Sequence, residues 1–327
     1  YKNIMPKVYI TSIISESGIK MLRDKGYEVI INPEERVLAK EELIATLKGQ
    51  NYDALFCLLT DKIDREVMDA FGPQLKVVAN MAVGFDNIDT EEAKKRGVMI
   101  TNTPGVLTDT VAEHTFALML SIAHRIPEAD RFTRALKYQG WAPMLMLVSD
   151  LSGKTLGIVG LGRIGSRVAH HAARGFEMKV LYYDVNRNEE FEKEFNAIYM
   201  PLDDLLKQSD FISIHVPLLE TTKHLINEEK LRLMKPTAYL INTSRGPVID
   251  EAALAHTLAN KTIKGAALDV FEFEPKITPE FLTLDNVILT PHIASATEET
   301  RSKMSLLAAT NIIEALEGRV PPNLLQN

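Results

Sequence analysis

The stretch Thr155-Leu-Gly-Ile-Val-Gly-Leu-Gly-Arg-Ile-Gly165 leads an apolar run directly into three glycines spaced G-x-G-x-x-G. The run predicts a buried strand, and the stretch Ile164–Arg174 that follows it predicts a helix. A second apolar run then ends in Asp184, 19 residues after the last glycine. Strand, glycine turn, helix, strand and acid in this order are typical of a dinucleotide-binding unit, in which the acid accepts a hydrogen bond from a ribose.

The three glycines are each expected to have a separate role. Gly160 would allow the tight turn from strand to helix, Gly162 would let a pyrophosphate approach the backbone, and Gly165 would let helix and strand pack closely. The phosphates would then lie at the N-terminus of the helix, where unpaired N–H groups and the helix dipole favour negative charge.

The composition is that of a globular chain of about two domains. Its 327 residues include 46% hydrophobic and 25% charged residues, and the formal net charge is −7. This charge gives no general attraction for nucleic acid or for an anionic membrane, and the longest apolar stretch is far below the ~20 residues that span a bilayer. We expect a cytoplasmic protein with no nucleic-acid partner, no membrane contact and no metal site.

Short apolar runs alternate with helical patterns, which predicts an α/β fold with parallel sheets. The first series of predicted strands is Lys7–Thr11, Glu28–Ile31, Ala54–Leu58, Lys76–Ala79 and Met99–Thr101. The second series begins at Thr155 and continues with Lys179–Tyr183, Phe211–His215, Ala238–Asn242, Ala266–Leu268 and Val287–Leu289. A last helix near Glu298–Glu317 follows the second sheet and is expected to return to the first. We therefore predict two doubly wound domains, a smaller discontinuous flavodoxin-like substrate domain (5–103 and 296–327) and a Rossmann dinucleotide-binding domain (104–295).

Three polar residues late in the chain are candidates for the chemistry. Arg245, Glu274 and His292 each follow the carboxyl end of a predicted strand, where open α/β sheets bind ligands. A guanidinium group can bind a carboxylate through two parallel hydrogen bonds. An imidazole can exchange a proton near neutral pH, and a neighbouring carboxylate fixes its tautomer and stabilises its charged form.

Several further motifs stand in a characteristic order along the chain. They are Asn80-Met-Ala-Val-Gly-Phe-Asp-Asn-Ile-Asp89, Asn102-Thr-Pro-Gly-Val-Leu-Thr108, His215-Val-Pro-Leu218, Asn242-Thr-Ser-Arg-Gly246 and Thr290-Pro-His-Ile-Ala-Ser295. In these motifs and the glycine loop the chain resembles the D-isomer-specific 2-hydroxyacid dehydrogenases over almost its whole length. Within that family it is most similar to the glyoxylate and hydroxypyruvate reductases, through stretches that include Gly140-Trp-Ala-Pro143 and Met304-Ser-Leu-Leu-Ala-Ala309.

The resemblance implies a reaction and a role for each candidate residue. A small 2-keto acid, glyoxylate or hydroxypyruvate, is reversibly reduced to the D-2-hydroxy acid by hydride transfer from NAD(P)H. His292, paired with Glu274, supplies the proton to the carbonyl oxygen, and Arg245 holds the substrate. The backbone amides of Val83 and Gly84 in the other domain are implied to bind the substrate carboxylate.

The resemblance also implies the remaining contacts of substrate and cofactor. Leu58 and Leu59 would form a wall of the substrate pocket, although ordinary core positions are an equal alternative. The residues implied in cofactor binding are Gly160, Leu161, Gly162, Arg163, Ile164, Gly165, Asp184, Val216, Pro217, Thr222, Thr243, Asp269 and Ala294. Because Asp184 should accept from a ribose 2′-OH and repel a 2′-phosphate, we expect NADH to be preferred over NADPH. Arg187, three residues further on, leaves the NADPH alternative open.

The stretch Lys137–Ser149 predicts a homodimer. It contains the only tryptophan of the chain, Trp141, and a run of apolar side chains from Met144 to Val148. On a monomer this would be an unusually large exposed patch. In the resembling reductases the region lies at the dimer interface and the tryptophan reaches toward the neighbour's substrate pocket, whereas packing of Trp141 against its own domain is the alternative.

Two other functions remain open on the sequence. The chain could be another dehydrogenase of the same scaffold, such as one resembling 3-phosphoglycerate dehydrogenase or another D-2-hydroxyacid dehydrogenase. It could also be a dinucleotide-sensing protein similar to the corepressors that reuse this fold, which retain the same three polar residues.

Overall fold

The computed structural model describes residues 5–325, and these divide into two compact units. One unit contains the chain up to Leu107 and again from Ala296 onward, and the other contains Thr108–Ser295. No helix among the described residues is both long and apolar enough to cross a bilayer.

The first unit is built on a five-stranded sheet in which every strand pair is parallel. Its strands are β1 (Lys7–Ile10), β2 (Glu28–Ile31), β3 (Ala54–Cys57), β4 (Val77–Asn80) and β5 (Met99–Thr101). Its helices are α1 (Glu16–Asp24), α2 (Lys40–Leu47), α3 (Arg65–Phe71), α4 (Thr90–Arg96) and α12 (Glu298–Leu316). The strand order β2-β1-β3-β4-β5 is the flavodoxin-like order.

The last helix joins this unit through a close approach to α1. A Cβ atom on Gly18 would lie only 2.4 Å from the backbone oxygen of Ser305, so the α1 position facing α12 has no room for a side chain. The Gly18 N–H also donates to the Ser305 hydroxyl at 3.1 Å. Small residues thus allow the C-terminal helix to pack on the N-terminal one, and the first unit is discontinuous in sequence.

The second unit is built on a seven-stranded parallel sheet. Its strands are β6 (Thr155–Val159), β7 (Lys179–Tyr183), β8 (Ile198–Tyr199), β9 (Phe211–Ile214), β10 (Tyr239–Asn242), β11 (Gly265–Leu268) and β12 (Val287–Leu289). Its helices are α5 (Thr108–Ala123), α6 (Ile126–Arg134), α7 (Arg163–Gly175), α8 (Glu189–Phe195), α9 (Leu202–Gln208), α10 (Glu228–Leu233) and α11 (Glu251–Ala259). The order β12-β11-β10-β9-β6-β7-β8 contains the Rossmann order with one additional strand at the edge.

The predicted fold of two doubly wound α/β units is therefore confirmed. The predicted strands agree with the observed ones to within two residues, but no pattern in the sequence indicated β8. That strand has only two residues, both exposed, so it carries no buried apolar run. The functions assigned to the two domains stay predictions at this point.

Candidate active site

The glycine loop at the end of β6 has the geometry expected of a dinucleotide cradle. Gly160 has φ +97°, a left-handed conformation that suits glycine. A Cβ atom on Gly165 would lie 2.0 Å from the oxygen of Gly160, so helix α7 can approach the loop only without a side chain there. At Gly162, the N-cap residue of α7, a Cβ would meet no atom within 4 Å. The space at this helix end fits the pyrophosphate that the sequence predicts.

Asp184 follows β7 and is tied to the same loop. Its Oδ2 accepts a hydrogen bond from the Leu161 N–H at 2.7 Å, and its Oδ1 accepts one from the Asn186 N–H at 3.0 Å. The carboxylate is therefore held beside the glycine turn, where an adenosine ribose would lie in a dinucleotide bound to this fold.

His292 and Glu274 form a hydrogen-bonded pair, which is the arrangement that the family resemblance implies. The imidazole Nδ1 lies 3.0 Å from Oε2 of Glu274, and the other carboxylate oxygen accepts from the Phe271 N–H at 2.9 Å. With Nδ1 facing a carboxylate, Nε2 is the nitrogen that can exchange a proton with a substrate. Both side chains are about one-quarter to one-third exposed, so water or a small acid can reach the pair.

The loop that carries His292 is fixed by Asp269, whose side chain is fully buried. One carboxylate oxygen accepts from the Thr290 hydroxyl at 2.7 Å and from the Ile293 N–H at 2.9 Å. The other accepts from the Ala294 N–H at 2.8 Å. These bonds hold the backbone on both sides of His292, which itself has φ +53°. Burial alone would raise the pKa of Asp269, but hydrogen bonds from His114, Thr290 and the loop amides outweigh it and lower the pKa.

Arg245 follows β10 and is half-buried. Its Nη1 donates to the Ser244 oxygen at 2.9 Å, and its own carbonyl accepts from the Asn242 side chain at 2.9 Å. A Cβ on the next residue, Gly246, would lie 1.9 Å from the carbonyl carbon of Phe271. This close backbone contact brings the segment of Arg245 against the segment that leads to Glu274.

The other predicted cofactor residues lie along the carboxyl ends of the same sheet. The Thr243 hydroxyl is buried and lies 3.0 Å from the Thr115 hydroxyl. The Thr222 hydroxyl donates to the Pro217 oxygen at 2.6 Å, which closes the loop after β9 next to Val216. Burial lowers the pKa of His215 in this loop to about 3, so that imidazole is neutral near pH 7 and is a poor proton donor.

In the first unit, the predicted substrate residues lie in two loops that side-chain amides hold. Asn87 donates to the Leu58 oxygen at 3.1 Å, and Asn80 donates to the Gly84 oxygen at 2.9 Å. The two amides also bond each other, with Asn80 Nδ2 3.1 Å from Asn87 Oδ1. Carbonyls of both loops are thereby bound, whereas the N–H groups of Val83 and Gly84 donate to no protein acceptor within residues 5–325. Free adjacent N–H groups suit an anion.

The segment between α6 and β6 carries an apolar surface. Trp141 is 83% exposed, so the alternative in which it packs against its own domain is wrong. Large exposed side chains extend along the segment, namely Leu136, Tyr138, Met144, Leu145, Leu147 and Val148. Contiguous exposed apolar area of this kind is typical of an interaction surface.

Comparison with known proteins decides the family. Residues 116–294 match the family described as D-isomer specific 2-hydroxyacid dehydrogenase, NAD binding domain. The chain belongs to this family. The family prediction is therefore confirmed, and a nicotinamide dinucleotide is the cofactor.

The relatives of this dehydrogenase cover nearly all of it. A glyoxylate reductase of Korarchaeum cryptofilum is 51% identical over 98% of this chain and 96% of its own length. The crystal structure of an NADPH-dependent glyoxylate/hydroxypyruvate reductase from Sinorhizobium meliloti, in complex with NADP and malonate, has a TM-score of 0.86 and 31% identity over 98% of this chain and 96% of that one. A D-lactate dehydrogenase from Aquifex aeolicus, complexed with NAD and lactic acid, has a TM-score of 0.84 and 33% identity over 98% of each chain.

Sequence reasoning missed the residues that hold the site in place. Asn87 lies within the quoted motif that ends at Asp89, so its position was visible but its hydrogen-bond partners were not. The cofactor role of Asp269 stays a prediction, and the hydrogen bonds that its carboxylate accepts from the His292 loop were not foreseen. Glu192, which pairs with Arg187, was not singled out at all.

Proposed function

We propose that this dehydrogenase reduces a small 2-keto acid, glyoxylate or hydroxypyruvate, to the D-2-hydroxy acid, in a reversible reaction. The observation that carries the proposal is the 3.0 Å pair between His292 Nδ1 and Glu274 Oε2 at the carboxyl ends of the Rossmann strands. The printed names of the relatives, glyoxylate reductase and glyoxylate/hydroxypyruvate reductase, support the substrate class. They favour it over the phosphoglycerate dehydrogenase and corepressor alternatives.

In the proposed reaction, His292 transfers one proton and Glu274 assists the transfer. The imidazolium donates its Nε2 proton to the carbonyl oxygen of the keto acid, and Glu274 stabilises the charge on the ring and fixes its orientation. When bound, the reduced nicotinamide supplies the hydride that is added to C2. Arg245 would bind the substrate carboxylate and carbonyl through its planar guanidinium group.

For the first unit, we propose that the N–H groups of Val83 and Gly84 bind the substrate carboxylate. Their freedom from protein acceptors supports this role. Leu58 is half-buried after β3, and its side chain would limit the length of the substrate.

We propose that NADH is preferred over NADPH. The carboxylate of Asp184 is held beside the glycine loop and would accept from the ribose 2′-OH, whereas it would repel a 2′-phosphate. The expected ratio of kcat/KM is at least about tenfold in favour of NADH, a factor that corresponds to about 1.4 kcal/mol. A ratio near one, or one that favours NADPH, would contradict the assignment.

We also propose a homodimer that covers the segment around Trp141. Aromatic anchors in buried interfaces carry a large share of association energy. Light scattering should give twice the mass of the 36.6 kDa chain, and Trp141→Ala should weaken the dimer and raise the KM for the keto acid. A monomeric parent would rule out the dimer, whereas a dimeric variant with unchanged KM would leave the dimer and remove the role of Trp141 at the neighbour's site. A cytoplasmic location stays a prediction.

The proposed reaction is tested by NADH oxidation with glyoxylate, hydroxypyruvate, pyruvate and 3-phosphohydroxypyruvate. His292→Gln should lower kcat by about 10²–10⁴-fold, the loss typical of a missing general acid. The dissociation constant of NADH should change less than about twofold, because His292 acts on the keto acid. The exposed His256 on α11 gives the matched control His256→Gln, which should keep full activity. Equal turnover of His292→Gln and the parent would overturn the assignment.

A further inference from the structure

Arg187, the residue that leaves the NADPH alternative open, is bound to a carboxylate of its own chain. Its Nε lies 2.9 Å from Oε1 of Glu192 and its Nη2 lies 2.8 Å from Oε2. Two parallel bonds of this kind fix the plane of the guanidinium group as well as its position. The same edge of Arg187 cannot bind Glu192 and a phosphate at once.

Glu192 is itself anchored in the fold. Oε1 accepts from the Tyr182 hydroxyl at 2.7 Å, and that hydroxyl accepts from the Asn188 N–H at 2.8 Å. Tyr182 is a buried residue of β7, so the chain of bonds runs from the sheet through Glu192 to the surface. Hydrogen bonds from Arg187 first and from Tyr182 second lower the pKa of Glu192 to about 2, so it is anionic throughout the physiological range.

The pair stands at the edge of the dinucleotide cradle. Arg187 lines a cavity of about 590 Å³ together with Leu161 and Gly162 of the glycine loop and with Asp184. Glu189 and Glu190 also line it, so the ionisable side chains around this cavity are three carboxylates and one guanidinium group whose charge Glu192 already balances. The side chains that line this cavity thus offer little attraction for a 2′-phosphate.

We propose that Glu192 is a specificity-determining residue, which withholds Arg187 from the 2′ position of the adenosine ribose and so disfavours NADPH. The inference rests on the proposed NADH preference and adds a second cause to it. Asp184 repels a 2′-phosphate directly, whereas Glu192 removes the one cation in the cavity lining that could attract it. Release of Arg187 alone should therefore improve NADPH binding while Asp184 is still present.

The test is the dissociation constant of each reduced dinucleotide, measured by fluorescence titration without any keto acid. Glu192→Gln should tighten NADPH binding by about fivefold, the size of a partly exposed ion pair, with NADH changed by less than about twofold. Glu194→Gln is the matched control, because it removes the same charge from the same helix without contacting Arg187. In the double variant Glu192→Gln/Arg187→Ala, the gain for NADPH should disappear.

Three results would overturn the inference. NADPH binding of Glu192→Gln equal to that of Glu194→Gln would mean that the pair does not control selectivity. A gain that persists in the double variant would mean that lost negative charge, and not released Arg187, is the cause. A parent that already prefers NADPH would refute the proposed NADH preference together with this inference, whereas the first two results leave that preference intact.

Discussion

The first unit buries Asp61 in the loop after β3 and the second unit buries Asp269 in the loop after β11, and the pKa values of the two carboxyl groups move in opposite directions. Asp61 of the first unit is 5% exposed, and Asp269 of the second is fully buried. The pKa of Asp61 is raised because burial disfavours the charged form and, within residues 5–325, only the Thr11 hydroxyl and the Leu58 N–H donate to its carboxyl group. The pKa of Asp269 is lowered although burial acts on it in the same sense.

The number of donors accounts for the difference. Thr290, Ile293 and Ala294 all donate to Asp269, and His114 lies 3.5 Å from it. A buried carboxylate with this many donors is stabilised as the anion. Burial alone therefore does not set the direction of the pKa shift, because the larger number of donors reverses it at Asp269.

The loops of the two units are also held by different kinds of side chain. In the first unit, side-chain amides donate to carbonyls in the loops of Leu58 and Gly84, and Asp61 accepts from the Leu58 N–H. In the second unit, the carboxylate of Asp269 accepts from the loop of His292. The amides of Asn80 and Asn87 donate to carbonyls of these loops, which leaves the N–H groups of Val83 and Gly84 for the substrate carboxylate that we propose.

The strongest test of this comparison is Asp269→Asn. An amide can keep one oxygen acceptor, but its NH₂ group would face the Ala294 N–H or the Thr290 and Ile293 donors, so buried donors lose their partner. We expect the free energy of unfolding to fall by about 1–3 kcal/mol. Misplacement of His292 should lower kcat by about ten- to hundredfold, with a smaller effect on NADH binding.

The control for this variant is Asp285→Asn, which changes an exposed carboxylate of the same unit. Because the folded pKa of Asp269 lies below its ordinary 3.8, its contribution to stability is fully present above that pH and is lost as pH falls through the lower folded value. The difference in stability between parent and Asp269→Asn should thus be constant from pH 5 to pH 8. A kcat equal to that of the control would show that the anion is not needed to hold the loop.

A smaller effect is expected from Asn87→Ala, which removes one of the two side-chain amides that bind the loops of the first unit. The change leaves the carbonyls of Leu58 and Asp61 without their side-chain donor and removes a partner of Asn80. We expect the KM for the keto acid to rise by about three- to tenfold with kcat less affected, since the loops of the first unit are proposed to bind the substrate. Gln50→Ala, an exposed amide of the same unit, is the control. An unchanged KM with a lowered melting temperature would reduce Asn87 to a purely structural role.

The smallest effect is expected from Asp61→Asn. Both donors reach the same oxygen, Oδ2, so an amide oxygen in that position can accept both bonds. The raised pKa means that the parent loses stability as pH rises from 3.8 through the folded pKa, whereas asparagine does not titrate. The variant should therefore gain stability relative to the parent across that window and stay within about 1 kcal/mol of it near neutral pH. Urea unfolding at pH 4, 5, 6 and 7 measures this, and a loss of several kcal/mol at pH 7 would contradict the comparison.

The features that the sequence predicted are those with a local signal. Gly160 and Gly165 are five positions apart and their roles follow from that spacing, and the parallel sheets follow from short apolar runs between helices. The hydrogen bonds that hold these loops were not predictable, because the residues that they join are far apart in sequence. Asn87 reaches Leu58 across 29 residues, and Asp269 reaches Ala294 across 25. The Arg187–Glu192 pair spans only five residues, but it depends on where α8 begins and on the Tyr182 hydroxyl, which no pattern in the sequence specifies.

The exposed Trp141 also provides an intrinsic fluorescence probe. Since it is the only tryptophan of the chain, indole emission arises from one known position. An indole in water emits at longer wavelength than one buried against a partner, so dissociation of the proposed dimer on dilution should move the emission maximum to the red. Reduced nicotinamide absorbs where indole emits, and quenching of that emission by energy transfer would follow cofactor binding without any added label.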